Sequence, residues 1–151
     1  MLSFRELAVT DIAECQGIWA ELGSHYDHPI GGSWNNEKLA DEIRDHQGVG
    51  IFSGEGQLEA FCLYRLLPPD RREIMLLVTR PRAHRTGAMR ALMRSFIDEL
   101  RPDESVWLEV HAGNVPAISL YESFGFQLCG ERPDYYADGG KALLYEYKPL
   151  Q

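Results

Sequence analysis

Positive charge is what this sequence has least of: 15 Lys and Arg stand against 23 Asp and Glu, for a formal net charge of −8. Such a surface does not grip nucleic acid or anionic lipid, because phosphate recognition rests on cations that release counterions. Cysteine is scarce too. Cys15, Cys62 and Cys129 are an odd number without metal-ligand spacing, so they read as reduced thiols and no metal site is expected. Long apolar runs are missing: nothing approaches the roughly 20 residues of a membrane span. The start, MLSFRELAVTD, lacks the basic flank and apolar stretch of a signal peptide. These absences point to a cytoplasmic protein with no membrane or nucleic-acid partner. What remains is ordinary globular composition, 44% hydrophobic and 25% charged over 151 residues, enough for one domain spanning 1–151 with a sizeable core. One further absence is local. Acidic residues are missing from Arg80 to Arg94, within a cluster formed by arginines 71, 72, 80, 82, 85, 90 and 94. A basic arc on an acidic chain suits a compact anion.

The pattern alternates between strand and helix. Leu2–Leu7 reads as a short strand, and Thr10-Asp11 opens a helix with Ile12, Cys15, Ile18, Trp19 and Leu22 at helical spacing. GSHYDHPIGGSWNN is a loop by its punctuation, and its Tyr26 and Trp34 either contact a substrate or pack the loop down. Asn36 is placed as the cap of a helix over Glu37–His46. From Val49 the period becomes two, giving a hairpin around Glu55-Gly56-Gln57, after which Glu73–Thr79 (EIMLLVT) is apolar enough for a central strand covered on both faces. FQLCGERPDYY and ALLYEYKPL close the chain as a strand pair, with Tyr135 and Tyr136 near the connecting loop, lining a substrate site or covering the sheet edge. Strands and helices in this order predict an α/β (α+β) domain on a mixed sheet.

Two stretches carry chemistry. In PRAHRTGAMRALMRSFIDEL a strand passes through a turn containing Gly87 into a helix with Ala91, Leu92, Phe96 and Leu100 inward. The unpaired N–H groups and positive dipole of such a helix start suit a pyrophosphate. In VWLEVHAGNVPAISLYESFGF, Val106, Leu108 and Val110 share one strand face while Glu109 lies on the other. Asn114 then caps a helix with Pro116 in its first turn, Tyr121 on the helix, and Gly125 as a left-handed stop before Phe126.

The pattern Asn114-x-x-Ala117-x-x-Leu120-Tyr121-Glu122-x-x-Gly125-Phe126, with the arginine-rich turn and the order of elements, resembles the GNAT acyl-CoA N-acetyltransferases. The likeness to the RimI-like branch, which acetylates protein N-termini, rests on the Trp107–Val110 tetrapeptide and the Tyr135-Tyr136 pair. The resemblance implies a mostly antiparallel mixed sheet of about six to seven strands flanked by about four helices. It also implies acetyl-CoA as co-substrate and an amine acceptor, with a homodimer open. The family's pyrophosphate loop falls on His84-Arg85-Thr86-Gly87-Ala88-Met89, where His84 and Met89 depart from the usual Gln/Arg and small residue. Phosphates would then sit weakly or lean on Arg82, Arg85 or Arg90. Leu77 and Val78 are the implied strand backbone for the pantetheine, and Asn114 the implied contact to the coenzyme arm.

By the same resemblance Glu109 is the base and Tyr121 the acid. An α-amine with pKa near 8 is partly protonated at pH 7 and attacks a thioester only when neutral, whereas a phenol keeps its proton there. Glu73 is the competing base. An N-terminal amine is the first expectation for the acceptor, a small amine metabolite the second, and a coenzyme-binding module without activity the third. Gly140-Lys141-Ala142, where RimI-like relatives often carry acidic residues, weighs against the peptide.

Overall fold

In the computed structural model, which describes residues 1–23, 34–135 and 138–149, the period-two segments form one seven-stranded sheet. The strands are β1 (Ser3–Glu6), β2 (Gln47–Phe52), β3 (Leu58–Leu67), β4 (Arg71–Thr79), β5 (Ser105–His111), β6 (Gln127–Arg132) and β7 (Ala142–Tyr147), in the spatial order β1-β2-β3-β4-β5-β7-β6. Short turns join β2 to β3 and β3 to β4, so these pair antiparallel. β4 and β5 are parallel because α3 (Ala88–Asp98) carries the chain back between them. The other helices among the described residues are α1 (Ile12–Gly23), α2 (Asn36–Asp45) and α4 (Val115–Ser123). The mixed, mostly antiparallel sheet with four helices matches the expected fold.

Each sheet face has its own core. α1 and α2 pack Ile12, Cys15, Ile18, Leu22, Leu39 and Ile43 against Phe61, Leu63, Leu76 and Val78. α3 and α4 cover the other face, where Leu92, Phe96 and Tyr121 meet Cys62, Ile74, Leu108, Val110 and Tyr145. Beyond this shelter β6 lies exposed at the sheet edge, Cys129 with it, unlike the buried Cys15 and Cys62.

Two boundaries differ from expectation. Asn35 rather than Asn36 caps α2: its extended backbone lets its side chain accept the Lys38 N–H at 2.8 Å. β4 begins at Arg71 rather than Glu73, because both arginines find partners a turn would not give them. Arg71 stacks 4.2 Å over the Trp107 ring, and Arg72 lies over Tyr64 and Phe96 while pairing with Glu99 and Glu104.

One irregularity matters most. Leu63 pairs with Leu76 but Tyr64 with Ile74, so Met75 is an extra residue, a β-bulge. Ile74 consequently faces the α3–α4 core and Leu76 the α1–α2 core, although residues two apart in a regular strand share a face. Bulges add twist, and here β4 leaves β5: their pairing runs only from Arg71–Ser105 to Ile74–Leu108, while β4 continues to Thr79 and β5 to His111. Past Ile74 and Leu108 the sheet is split.

Candidate active site

The split runs toward the turn between β4 and α3. A 3-10 turn at Pro81–Ala83 is followed by two residues of positive φ, Arg85 at 64° and Gly87 at 89°. The first helical hydrogen bond of this end runs from Ala91 N to Gly87 O at 2.9 Å, so the amides of Ala88, Met89 and Arg90 precede the helical ladder and point out of its start. A Cβ built on Gly87 would meet nothing within 4 Å, which leaves open ground above the turn. Backbone donors, a helix dipole and open space fit a pyrophosphate.

The side chains around this turn divide. Arg85 is exposed beside it, and Arg90 lies 5.7 Å over the Phe124 ring in the first turn of α3. Arg82 is turned toward β3, bonded to Gln57 and 3.4 Å from Glu59. Thr86 Oγ1 donates to Ala83 O at 2.6 Å, and His84 Nε2 lies 3.2 Å from Thr79 O. Ala88 is buried, and Met89 packs its side chain against the α3–α4 core, leaving its amide at the helix start. The sequence cluster of arginines is not one arc in space. Arg71 and Arg72 lie at the far end of β4, roughly 25 Å away by strand rise, and Arg80 is held by Glu14 and the Leu58 carbonyl.

Leu77 and Val78 supply the β4 edge that faces the split; their side chains serve opposite cores. Glu109 is the first β5 residue beyond the last β4 pair, with its side chain 25% exposed and Oε1 3.4 Å from Arg132 of β6. Glu73 shares this face but sits in register with Trp107 and Arg65, inside the paired stretch, so it lies away from the opening. The buried Trp107 Nε1 finds no hydrogen-bond partner among the described residues.

Tyr121 approaches from the other face, nearly buried at 8% exposure and tilted against Phe126 with ring centroids 5.8 Å apart. The motif residues fix it. Asn114 Oδ1 caps α4 by accepting the Ala117 N–H at 3.3 Å, and at the other end Phe126 N donates to Tyr121 O at 3.1 Å and Gly125 N to Glu122 O at 3.0 Å. This is a Schellman closure, and it requires the left-handed φ of 96° at Gly125. Glu109 and Tyr121 therefore lie on opposite faces of the sheet, beside the place where it no longer closes.

Of the expected substrate residues, Trp34 packs against the α1–α2 core with Lys38 4.5 Å over its ring, while Tyr26 and Tyr136 lie outside the described residues. Sequence reading missed Arg132 and the Met75 bulge. Arg132 had no local signal, and the bulge showed only as an apolar run without clean alternation.

A mixed sheet split between its parallel strands, with an amide-rich helix start at the mouth, offers an unpaired strand edge and an anion-binding turn side by side. The acetyltransferase (GNAT) family model matches residues 10–126, and the chain belongs to this family. It is similar to the [ribosomal protein bS18]-alanine N-acetyltransferase of Escherichia coli strain K12, with 39% identity over 78% of this chain and 81% of that protein. It is also similar to the mycothiol acetyltransferase of Thermomonospora curvata, 32% identical over 66% of this chain but 36% of that one. The crystal structure of the ribosomal-protein-S18-alanine N-acetyltransferase from Escherichia coli superposes with a TM-score of 0.83 and 27% identity, covering 100% of this chain and 97% of that one. The protein is an acetyl-CoA-dependent N-acetyltransferase. No helix among the described residues is long and apolar enough to cross a membrane.

Proposed function

We propose that the protein acetylates the α-amine of a protein N-terminus, of the kind a ribosomal protein presents. The observation that carries the acceptor class is the 39% identity to the bS18-alanine enzyme, spread over most of both chains. The free Cys15, Cys62 and Cys129 fit the reducing cytoplasm that this reading implies.

Bound acetyl-CoA supplies a thioester-activated acetyl group. The amides of Ala88, Met89 and Arg90, with Arg85 and Arg90 at hand, would hold its pyrophosphate. The unpaired β4 edge at Leu77 and Val78 would align its pantetheine, with Asn114 beside the arm. Glu109 takes the proton of the incoming amine, directly or through water, as the nitrogen bonds to the acyl carbon. Arg132, 3.4 Å away, holds the carboxylate in place until the amine arrives. As the carbon–sulfur bond breaks, the Tyr121 hydroxyl donates its proton to the sulfur. Water returns the proton to Tyr121 and removes the one on Glu109, so the products are the N-acetyl amine and a free thiol. The reaction needs no covalent enzyme intermediate.

Mass spectrometry of N-terminal peptides, lysine peptides and polyamines incubated with acetyl-CoA tests the acceptor. Acetyl groups on α-amines of peptides support the reading. Acetylation confined to small amines would transfer it to the metabolite class, for which the mycothiol acetyltransferase likeness is the supporting observation.

A further inference from the structure

His111 lies two residues beyond Glu109 on the same face of β5, and it links three segments. Its Nδ1 accepts the Gly113 N–H at 2.8 Å, so that nitrogen carries no proton. Nε2 then holds the N–H and donates to Asp138 Oδ2 at 2.8 Å. Asp138 Oδ1 in turn accepts the Gly140 N–H at 2.8 Å, and Ala112 N donates to Lys141 O at 3.0 Å. A side chain on Gly140 would collide with the imidazole, so the close approach requires glycine there. The His111 carbonyl accepts the Asn114 N–H at 2.9 Å, at the head of the helix that carries Tyr121. The imidazole of His111 thus ties the strand of the base to Asp138, while its backbone carbonyl meets the head of the helix of the acid.

The pair is not a buried anchor. The His111 side chain is 35% exposed and that of Asp138 64%, and hydrogen bonds so open to water add little to global stability. Their effect is geometric. Two anchors, His111 to Asp138 and Ala112 to Lys141, fix residues 138–141 against the end of β5, two residues along the same strand face from Glu109.

We propose that His111, in its Nε2–H form, is a positioning residue that with Asp138 clamps residues 138–140 beside Glu109 and so shapes the seat of the acceptor's first residues. The seat's occupant rests on the N-terminal acceptor reading; the clamp itself does not. The test is kinetic and spectroscopic on the full chain. His111→Leu and Asp138→Ala are each expected to raise the peptide KM about tenfold, the loss of one directed hydrogen bond. Acetyl-CoA affinity and Tm should hold, the double variant should be no worse than either single one, and His111→Gln, which keeps a side-chain N–H, should recover part of the loss. Unchanged peptide KM in both single variants overturns the proposal, and so does an equal loss of acetyl-CoA affinity. If no peptide is a substrate of the wild type, the acceptor reading fails and the clamp is judged by imidazole 15N spectra and amide exchange. A single Nε2–H tautomer, with Gly140 exchange accelerated in His111→Leu, supports it. Mixed tautomers or unaltered Gly140 exchange refute it.

Discussion

Tyr121 can be relieved of its hydroxyl without disturbing its packing, since Phe would keep the ring against Phe126. Tyr121→Phe should therefore leave acetyl-CoA affinity intact while kcat falls by about 10²–10⁴, the range for general acid–base groups. Thiol release and calorimetry separate these quantities; a lowered Tm with kcat preserved would make the hydroxyl structural. Glu109 is argued in the same way. Glu109→Gln keeps the shape beside Arg132 but cannot take a proton, so turnover should follow the ionisation of the amine itself, with pKa near 8, and the pH optimum should move alkaline. An unshifted profile would return attention to Glu73. The carboxylate and the phenol were legible in the sequence because alternation gives a strand face and the Asn–Gly frame gives the helix ends. Arg132 was not, because its approach to Glu109 depends on β7 lying between β5 and β6.

The β4–α3 junction decides coenzyme binding through its backbone. Gly87 has φ 89°, where an L side chain costs about 1–2 kcal/mol, and a Cβ there would enter open space. Gly87→Ala is thus expected to cost that much stability, measured by urea unfolding, and to weaken acetyl-CoA binding further because the methyl group occupies the ground above the turn. Binding unchanged in calorimetry would remove the turn from the site. Met89 behaves otherwise. In the sequence it stood where a small residue would let phosphates approach, yet its side chain packs on the α3–α4 core. Met89→Gly should lower Tm, by lost packing and by about 1 kcal/mol of helix propensity, without tightening acetyl-CoA binding. Sequence pattern located this helix start and its glycine, because local propensity governs both. The split beside it was hidden, since an apolar run such as EIMLLVT carries no mark of which residue will be skipped in pairing.

The molecule as a whole is acidic, and its carboxylates set its response to pH. Asp11 is held below the usual carboxylate range first by its Arg5 hydrogen bond, against burial and with help from the Ala8 N–H. Burial opposes ionisation of Glu104, but the Arg101 N–H and Arg72 outweigh it and also leave it lowered. A group with depressed folded pKa releases its proton more readily in the native state, so its stabilisation is complete above the unfolded value and disappears as pH falls through the folded one. Urea midpoints should accordingly be flat from about pH 7 to 5 and decline from about pH 4 downward. Glu104 is the sharper test because it is buried and its partner Arg72 is largely covered, lying over Tyr64 and Phe96. Orphaning a buried charge costs about 3–5 kcal/mol, but Arg72 would retain Glu99 and Gln keeps an acceptor, so Glu104→Gln should cost about 2 kcal/mol at pH 7. Its acid decline should also be shallower than that of the wild type, because one of the protonating groups is gone. Parallel curves for the two proteins between pH 7 and pH 3 would mean that this network does not govern acid unfolding, and Asp11→Asn would then be expected to flatten the slope instead.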